Sequence, residues 1–354
     1  MADSSGPNRR QLLRAGLTGA LAAPLVLRAS RAGAAETTLR LHHFLPAVSN
    51  VHRRMLVPWT ERVAAASGGR VRIDVYPSMQ LGGRPPQLYD QARDGLADIV
   101  WTLPGYTPGR FPTTEVFELP FIASGRAAAD ARAAQAFADM HLKAETHEVR
   151  LLCAWVHDAG VIHANRAIAR MEDMAGLKLR FPTRLAGEAL AALGASPVGM
   201  PVPKVAESVA QRVIDGAVVP WEVVPAIKLH ELLSHHTEIP GAPTLYTAGF
   251  FLAMNPARYA SLPAEARDAI DSTTGMALAE AAGDVWDAAS AEVAAMVRAR
   301  GNQVVTITEA ERDRWIGATR PVVERWLADA RAKGLQADAL LETARGLIAH
   351  YAAS

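Results

Sequence analysis

Two distant stretches of this chain end alike. In "QARDGLADIVW" (residues 91–101) and "QRVIDGAVVPW" (residues 211–221), a helical pattern stops at Asp-Gly, and an apolar strand follows that finishes in tryptophan. Each stretch closes a β-α-β-α-β order. The first runs from the strand "TTLRLHHF" through a helix over "NVHRRMLVPWTERVAAAS". The strand "RVRIDVYP" follows, with Val71, Ile73 and Val75 on one face, and a helix around residues 87–93 leads to "ADIVWTL". The second runs "LKLRF", "TRLAGEALAAL", "SPVGM", "PKVAESVAQRVI" and "AVVPW". A strand that returns beside its predecessor through a helix makes a parallel sheet, so the chain is expected to be α/β, with two domains of like architecture.

Residues 263–301 then read as helix, with Pro263 fitting a first turn and Gly301 a C-cap. Either two helices break near Gly275 or Gly283, or one helix is long enough to cross both domains. "NQVVTIT" gives a last strand, and two more helices finish the chain.

The N-terminus is a different kind of segment. "NRRQLLRAGLTGALAAPLVLRASRAGAA" carries Arg9-Arg10, a mild apolar stretch, and a small-residue A-x-A pattern at Ala32-Gly33-Ala34. Residues 1–35 therefore read as an export signal, and the arginine pair favours the twin-arginine route over the general secretory one. The apolar run is interrupted by Gly and Pro, and no later stretch reaches the ~18 apolar residues that span a bilayer. Removing the signal takes five arginines and one aspartate from a chain of formal charge +1, leaving −3. The expectation is an exported protein that does not itself span a membrane.

Balanced charge, with no basic residues clustered among aromatics, argues against nucleic-acid binding. The single cysteine, Cys153, excludes an intrachain disulfide and a thiolate metal cluster. The adjacent pairs His42-His43 and His235-His236 point to opposite faces of a strand and make poor chelates. No G-x-S-x-G elbow, Walker loop, strand-linked G-x-G-x-x-G or H-E-x-x-H occurs. No metal, cofactor or catalytic set is expected.

One residue does point to binding chemistry. In "GLKLRFPTRLAGEAL" (residues 176–190), Leu177, Leu179 and Phe181 alternate as a strand, Pro182 ends it, and Thr183 opens a helix. Arg180 thus sits at the carboxyl end of a strand, where open α/β sheets bind ligands, and beside a helix N-terminus that favours anions. An arginine fork matches a carboxylate. Trp101, Tyr106 and Trp221, also at strand ends, are candidate ligand walls.

These residues also carry a family resemblance. "MEDMAGLKLRFPT" resembles the "DLKGLKxRxP" segment of the substrate-binding proteins of tripartite ATP-independent periplasmic (TRAP) transporters, the DctP-type family. "YPSMQLGG" is similar to that family's "P-x-x-Q-L-G" turn, and "GLADIVW" and "MPVPKVAESVAQRVIDGAVVP" resemble two further segments, in family order. The resemblance implies a two-lobed, periplasmic-binding-protein-like α/β fold with a hinge and a long helix spanning both lobes. The lobes would comprise residues 36–157 plus 246–285, and 158–245 plus 286–354. It implies a non-catalytic, periplasmic protein that captures a small organic acid, with Arg180 pairing with the carboxylate, and delivers it to TRAP membrane permease subunits.

Relative to sialic-acid-binding members, Gly160 stands where they carry a second arginine, Val219 where they carry asparagine, and Val202 where they carry phenylalanine. The cleft loses polar grip, so the expected ligand is an α-keto, α-hydroxy or aryl monocarboxylate. Phe44, Trp101, Tyr106 and Trp221 would form walls, with Val202 and Val219 beside them, and His163 or Thr183 would add a hydrogen bond. Two other readings stay open at this level: an exported enzyme using His163 and Glu222 as acid and base, and a partner that presents ligand to a membrane sensor.

Overall fold

The computed structural model describes residues 37–353; the expected export signal lies outside them. The chain runs β1 (Thr37–His42), α1 (Val57–Ala66), β2 (Val71–Tyr76), α2 (Leu88–Arg93), β3 (Ile99–Thr102), α3 (Ala127–His141), β4 (Arg150–Val156), β5 (Val161–Ala164), β6 (Lys178–Phe181), α4 (Arg184–Ala192), β7 (Ser196–Gly199), α5 (Val205–Ala210) and β8 (Gly216–Val219). It continues through α6 (Leu229–Leu232), β9 (His235–Glu238), β10 (Gly249–Met254), α7 (Pro256–Ala260), α8 (Ala264–Asp271), α9 (Met276–Ala299), β11 (Gln303–Thr306), α10 (Glu309–Ala332) and α11 (Ala337–Ala352).

The strands form two sheets, one for each lobe of a two-lobed α/β fold, ordered β2-β1-β3-β10-β4 and β11-β9-β5-β8-β6-β7. Within each, the β-α-β segments pair in parallel as the sequence pattern predicts: β1 with β2 and β3, and β6 with β7 and β8. Four strands escaped the sequence reading. β10 runs antiparallel between β3 and β4, and β5 runs antiparallel between β8 and β9. All six residues of β10, "GFFLAM", are buried, so no polar–apolar alternation marks it.

The chain passes from the first sheet to the second between Val156 and Val161, returns between Glu238 and Gly249, and crosses again between Met254 and Gln303. The long helical stretch breaks at Gly275, whose φ of +63° is a glycine conformation and whose N–H donates to the Leu152 carbonyl at 2.8 Å. Gly283 instead lies inside α9. A Cβ there would stand 2.6 Å from the Ala127 carbonyl oxygen, so this glycine lets α9 and α3 meet backbone to backbone. α9 also packs on β4, on the turn at Val51–Leu56 and on the turn at Trp221–Val223, and so touches elements of both lobes.

Candidate functional site

Strand β6 holds Leu179 in the core and turns the Arg180 side chain inward, where only 2% of the residue remains exposed. Its Nε donates to the Met200 carbonyl at 2.8 Å and its Nη1 to the Val218 carbonyl at 3.1 Å. Nη2 is buried and has no partner. No carboxylate of the described residues pairs with this guanidinium, and burial lowers its pKa from the ordinary value. A buried cation held by two carbonyls and the neighbouring Tyr106 hydroxyl, with no carboxylate, is incompletely compensated, and an anion is what completes it. Beside it, the Tyr106 hydroxyl accepts the Val202 N–H at 3.0 Å and so bridges the lobes.

Arg180 borders a small cavity between the two lobes. Its walls are aromatic: Phe44 stacks on Trp101 with centroids 4.6 Å apart, and Trp101 meets Phe250 at 5.2 Å. Val202 and Val219 add aliphatic surface. His157 and Glu222 are the other ionisable side chains there besides tyrosines. Burial pushes His157 down to about 4, which keeps its ring neutral, and pushes the Glu222 carboxyl up to about 7. Glu222 Oε1 accepts the Val51 N–H at 3.3 Å, and its carbonyl accepts from Asn50 Nδ2 at 3.1 Å, giving a second bridge between lobes. At the rim, Arg184 makes a third by reaching Glu115, Nη2 to Oε2 at 2.7 Å.

Of the residues singled out in the sequence, Phe44, Trp101, Tyr106, Arg180, Val202, Val219 and Glu222 all line this cavity. Three do not. The His163 ring lies behind β8, with Nδ1 against His236 Nδ1 at 2.7 Å and Nε2 donating to the Val219 carbonyl at 3.2 Å. Trp221 packs on those two histidines and donates Nε1 to Glu238 at 3.0 Å. Strand alternation would align Trp221 with Val219, but Pro220 ends the strand and the turn at Trp221–Val223 redirects the ring. Thr183 is buried with its methyl group against Gly105. His163 and Glu222 therefore share no cavity, which removes the geometry of an acid–base pair. Tyr246, Phe250, His157 and Trp286 line the cavity without having been singled out. They come from the lobe crossings, the unread strand β10 and the long helix, which carry no motif.

Gly160 is closed off. A Cβ there would lie 1.9 Å from the Tyr246 ring, which fills the space a second cationic side chain would need. Among the described residues no cluster of three or more His, Cys, Asp or Glu could hold a metal, and no helix is long and apolar enough to cross a membrane.

Comparison with known proteins shows the family and the fold. The family model for bacterial extracellular solute-binding protein, family 7 (DctP), matches residues 41–329. A TRAP solute-binding protein from Rhodoferax ferrireducens, solved with copurified benzoate, is 42% identical, with a TM-score of 0.86 covering 89% of this chain and 98% of its own. A marine metagenome TRAP solute-binding protein specific for aromatic acid ligands, solved with 3-hydroxybenzoate, is 41% identical, with a TM-score of 0.86 and coverage of 89% and 98%. A Bordetella bronchiseptica TRAP solute-binding protein solved with (R)- and (S)-mandelate is 30% identical, with a TM-score of 0.81 and coverage of 89% and 99%.

Proposed function

We propose, from the chain's membership of bacterial extracellular solute-binding protein family 7, the DctP-type TRAP binding proteins, that its ligand is an aryl monocarboxylate held between the lobes. The family is one of receptors, and this chain is a receptor rather than an enzyme. The observation that carries the ligand class is Arg180 Nη2, a buried unpartnered donor at the wall of an aromatic cavity. The ligand carboxylate takes Nη2 and the second hydrogen of Nη1, and its ring lies among Phe44, Trp101 and Phe250. The relatives solved with benzoate, 3-hydroxybenzoate and mandelate support this choice over α-keto acids. A polyhydroxylated acid would leave hydroxyls unpaired against Val202 and Val219, at a cost of about 1–3 kcal/mol each.

The lobes are built on residues 36–157 plus 246–285, and 158–245 plus 286–354, with α11 returning from the second set to pack on α3 of the first. In support, every strand of the five-stranded sheet falls in the first set and every strand of the six-stranded sheet in the second. Bridges made between lobes only in the closed form shift the equilibrium towards closure once ligand neutralises Arg180. Residues 1–35 direct export to the periplasm by the twin-arginine route, and the closed complex is handed to TRAP membrane permease subunits.

Thermal unfolding of purified protein with benzoate or mandelate tests the ligand class. Saturating ligand raises the melting temperature, and Arg180→Ala abolishes the rise. An Arg180→Ala protein that folds and binds the same acid as well as the parent overturns the arginine assignment.

A further inference from the structure

We propose that Glu222 is a specificity residue that accepts a hydrogen-bond donor carried on the ligand's ring, so that the preferred aryl acids are hydroxylated and a second carboxylate is rejected. The inference rests on the aryl-acid reading above and gives it a direction within the cavity. Glu222 lines the same cavity as Arg180 and is 2% exposed. The two do not form an ion pair: the protein acceptors of Arg180 are the Met200 and Val218 carbonyls, and Glu222 Oε1 accepts the Val51 N–H. The cavity therefore carries a cationic group and a carboxyl group at separate points of an aromatic enclosure.

A carboxylate offers about four acceptor sites, and the Val51 N–H uses one at a distance of 3.3 Å. Buried acceptor capacity in an apolar enclosure calls for a donor. A ligand anchored by its carboxylate on Arg180 can bring that donor as a phenolic hydroxyl on its ring. The same carboxyl opposes any second ionised carboxylate, because two like charges in a desolvated site disfavour one another. Glu222 stands on the turn at Trp221–Val223 after β8, and its bonds to Asn50 and Val51 tie it to the first lobe as well.

The test is calorimetric titration at pH 8 of the full mature chain with benzoate, 3- and 4-methylbenzoate, 3- and 4-hydroxybenzoate, and the benzene-1,3- and 1,4-dicarboxylates. One hydroxybenzoate is expected to bind at least about tenfold more tightly than benzoate and its methyl counterpart, and neither dicarboxylate to bind comparably. In Glu222→Met all acids weaken through loss of the Val51 bridge, by about 5- to 30-fold for benzoate, and the ratio of hydroxybenzoate to benzoate affinity falls to about one. Glu222→Gln, which keeps an uncharged acceptor for the Val51 N–H, reduces the advantage and provides the test if the methionine variant does not fold. Hydroxybenzoates no tighter than benzoate, a dicarboxylate that binds as well as they do, or an advantage that survives both substitutions overturns the proposal. If none of these acids binds the parent protein, the aryl-acid reading itself fails.

Discussion

The phenolic oxygen of Tyr106, from the first lobe, accepts the backbone N–H of Val202, from the second, at 3.0 Å. The bond forms beside a guanidinium whose Nη2 has no partner. Ligand capture and lobe closure thus meet at one point.

Tyr106→Phe keeps the ring and removes the acceptor. The Val202 N–H loses its partner only in the closed form, so the loss falls on affinity rather than on ligand-free stability. Affinity for an aryl acid should drop by about 1–2 kcal/mol, roughly 5- to 30-fold in Kd. Titration calorimetry checks this, with the ligand-free melting temperature as control.

Arg184 and Glu115 join the lobes at the rim, with Nη2–Oε2 at 2.7 Å, and Arg184 also holds Glu188 at 2.7 Å. Arg184 is partly exposed, so the contribution is modest and screened by salt. Arg184→Ala should weaken ligand binding by up to about 1 kcal/mol, with the difference from the parent shrinking at high ionic strength. Binding isotherms at two salt concentrations measure it.

His163 and His236 give a pH dependence unrelated to ligand. Nε2 of His163 donates to the Val219 carbonyl, Nδ1 of His163 faces Nδ1 of His236 at 2.7 Å, and Asn302 Nδ2 lies 3.0 Å from His236 Nε2. One arrangement of protons satisfies all three contacts, with both rings neutral, and an added proton has no acceptor. Burial accordingly pushes His163 well below 6.5 and His236 down to about 4. Their folded pKa values lie below the unfolded ones, so the unfolded chain binds more protons beneath pH 6.5. Stability is fully present above about pH 6.5 and lost as pH falls towards 4. Melting temperatures from pH 8 to 4 should decline on that limb, and His236→Gln should flatten it.

Two helical glycines should respond oppositely to alanine. At Gly283 a Cβ meets the Ala127 carbonyl at 2.6 Å, whereas nothing lies within 4 Å at Gly317 in α10. Gly317→Ala should stabilise by about 0.5–1 kcal/mol through helix propensity. Gly283→Ala must separate α9 from α3, which reverses that gain and costs about 1–3 kcal/mol. Urea unfolding of the two variants distinguishes them.

The parallel halves of both sheets were legible because Val71, Ile73 and Val75 alternate and Asp-Gly marks the helix ends. Arg180 was legible because a charge inside a strand needs a reason. The antiparallel strands were not, since β10 is buried on both faces and shows no period. Trp221 follows a strand end as the sequence indicates and His163 lies in the unread strand β5, but only the turn after Pro220 and the ring contact with His236 decide where those side chains go. Side-chain direction past the last strand residue is a tertiary property. So is the cavity role of Tyr246 and Trp286, which lie far along the chain from Arg180.

The contact between Gly160 and the Tyr246 ring constrains the routes by which such a receptor changes diet. Any side chain introduced at 160 collides with that ring, and shrinking Tyr246 alone opens a void beside Arg180. The two positions are therefore coupled: a side chain at 160 calls for a smaller one at 246.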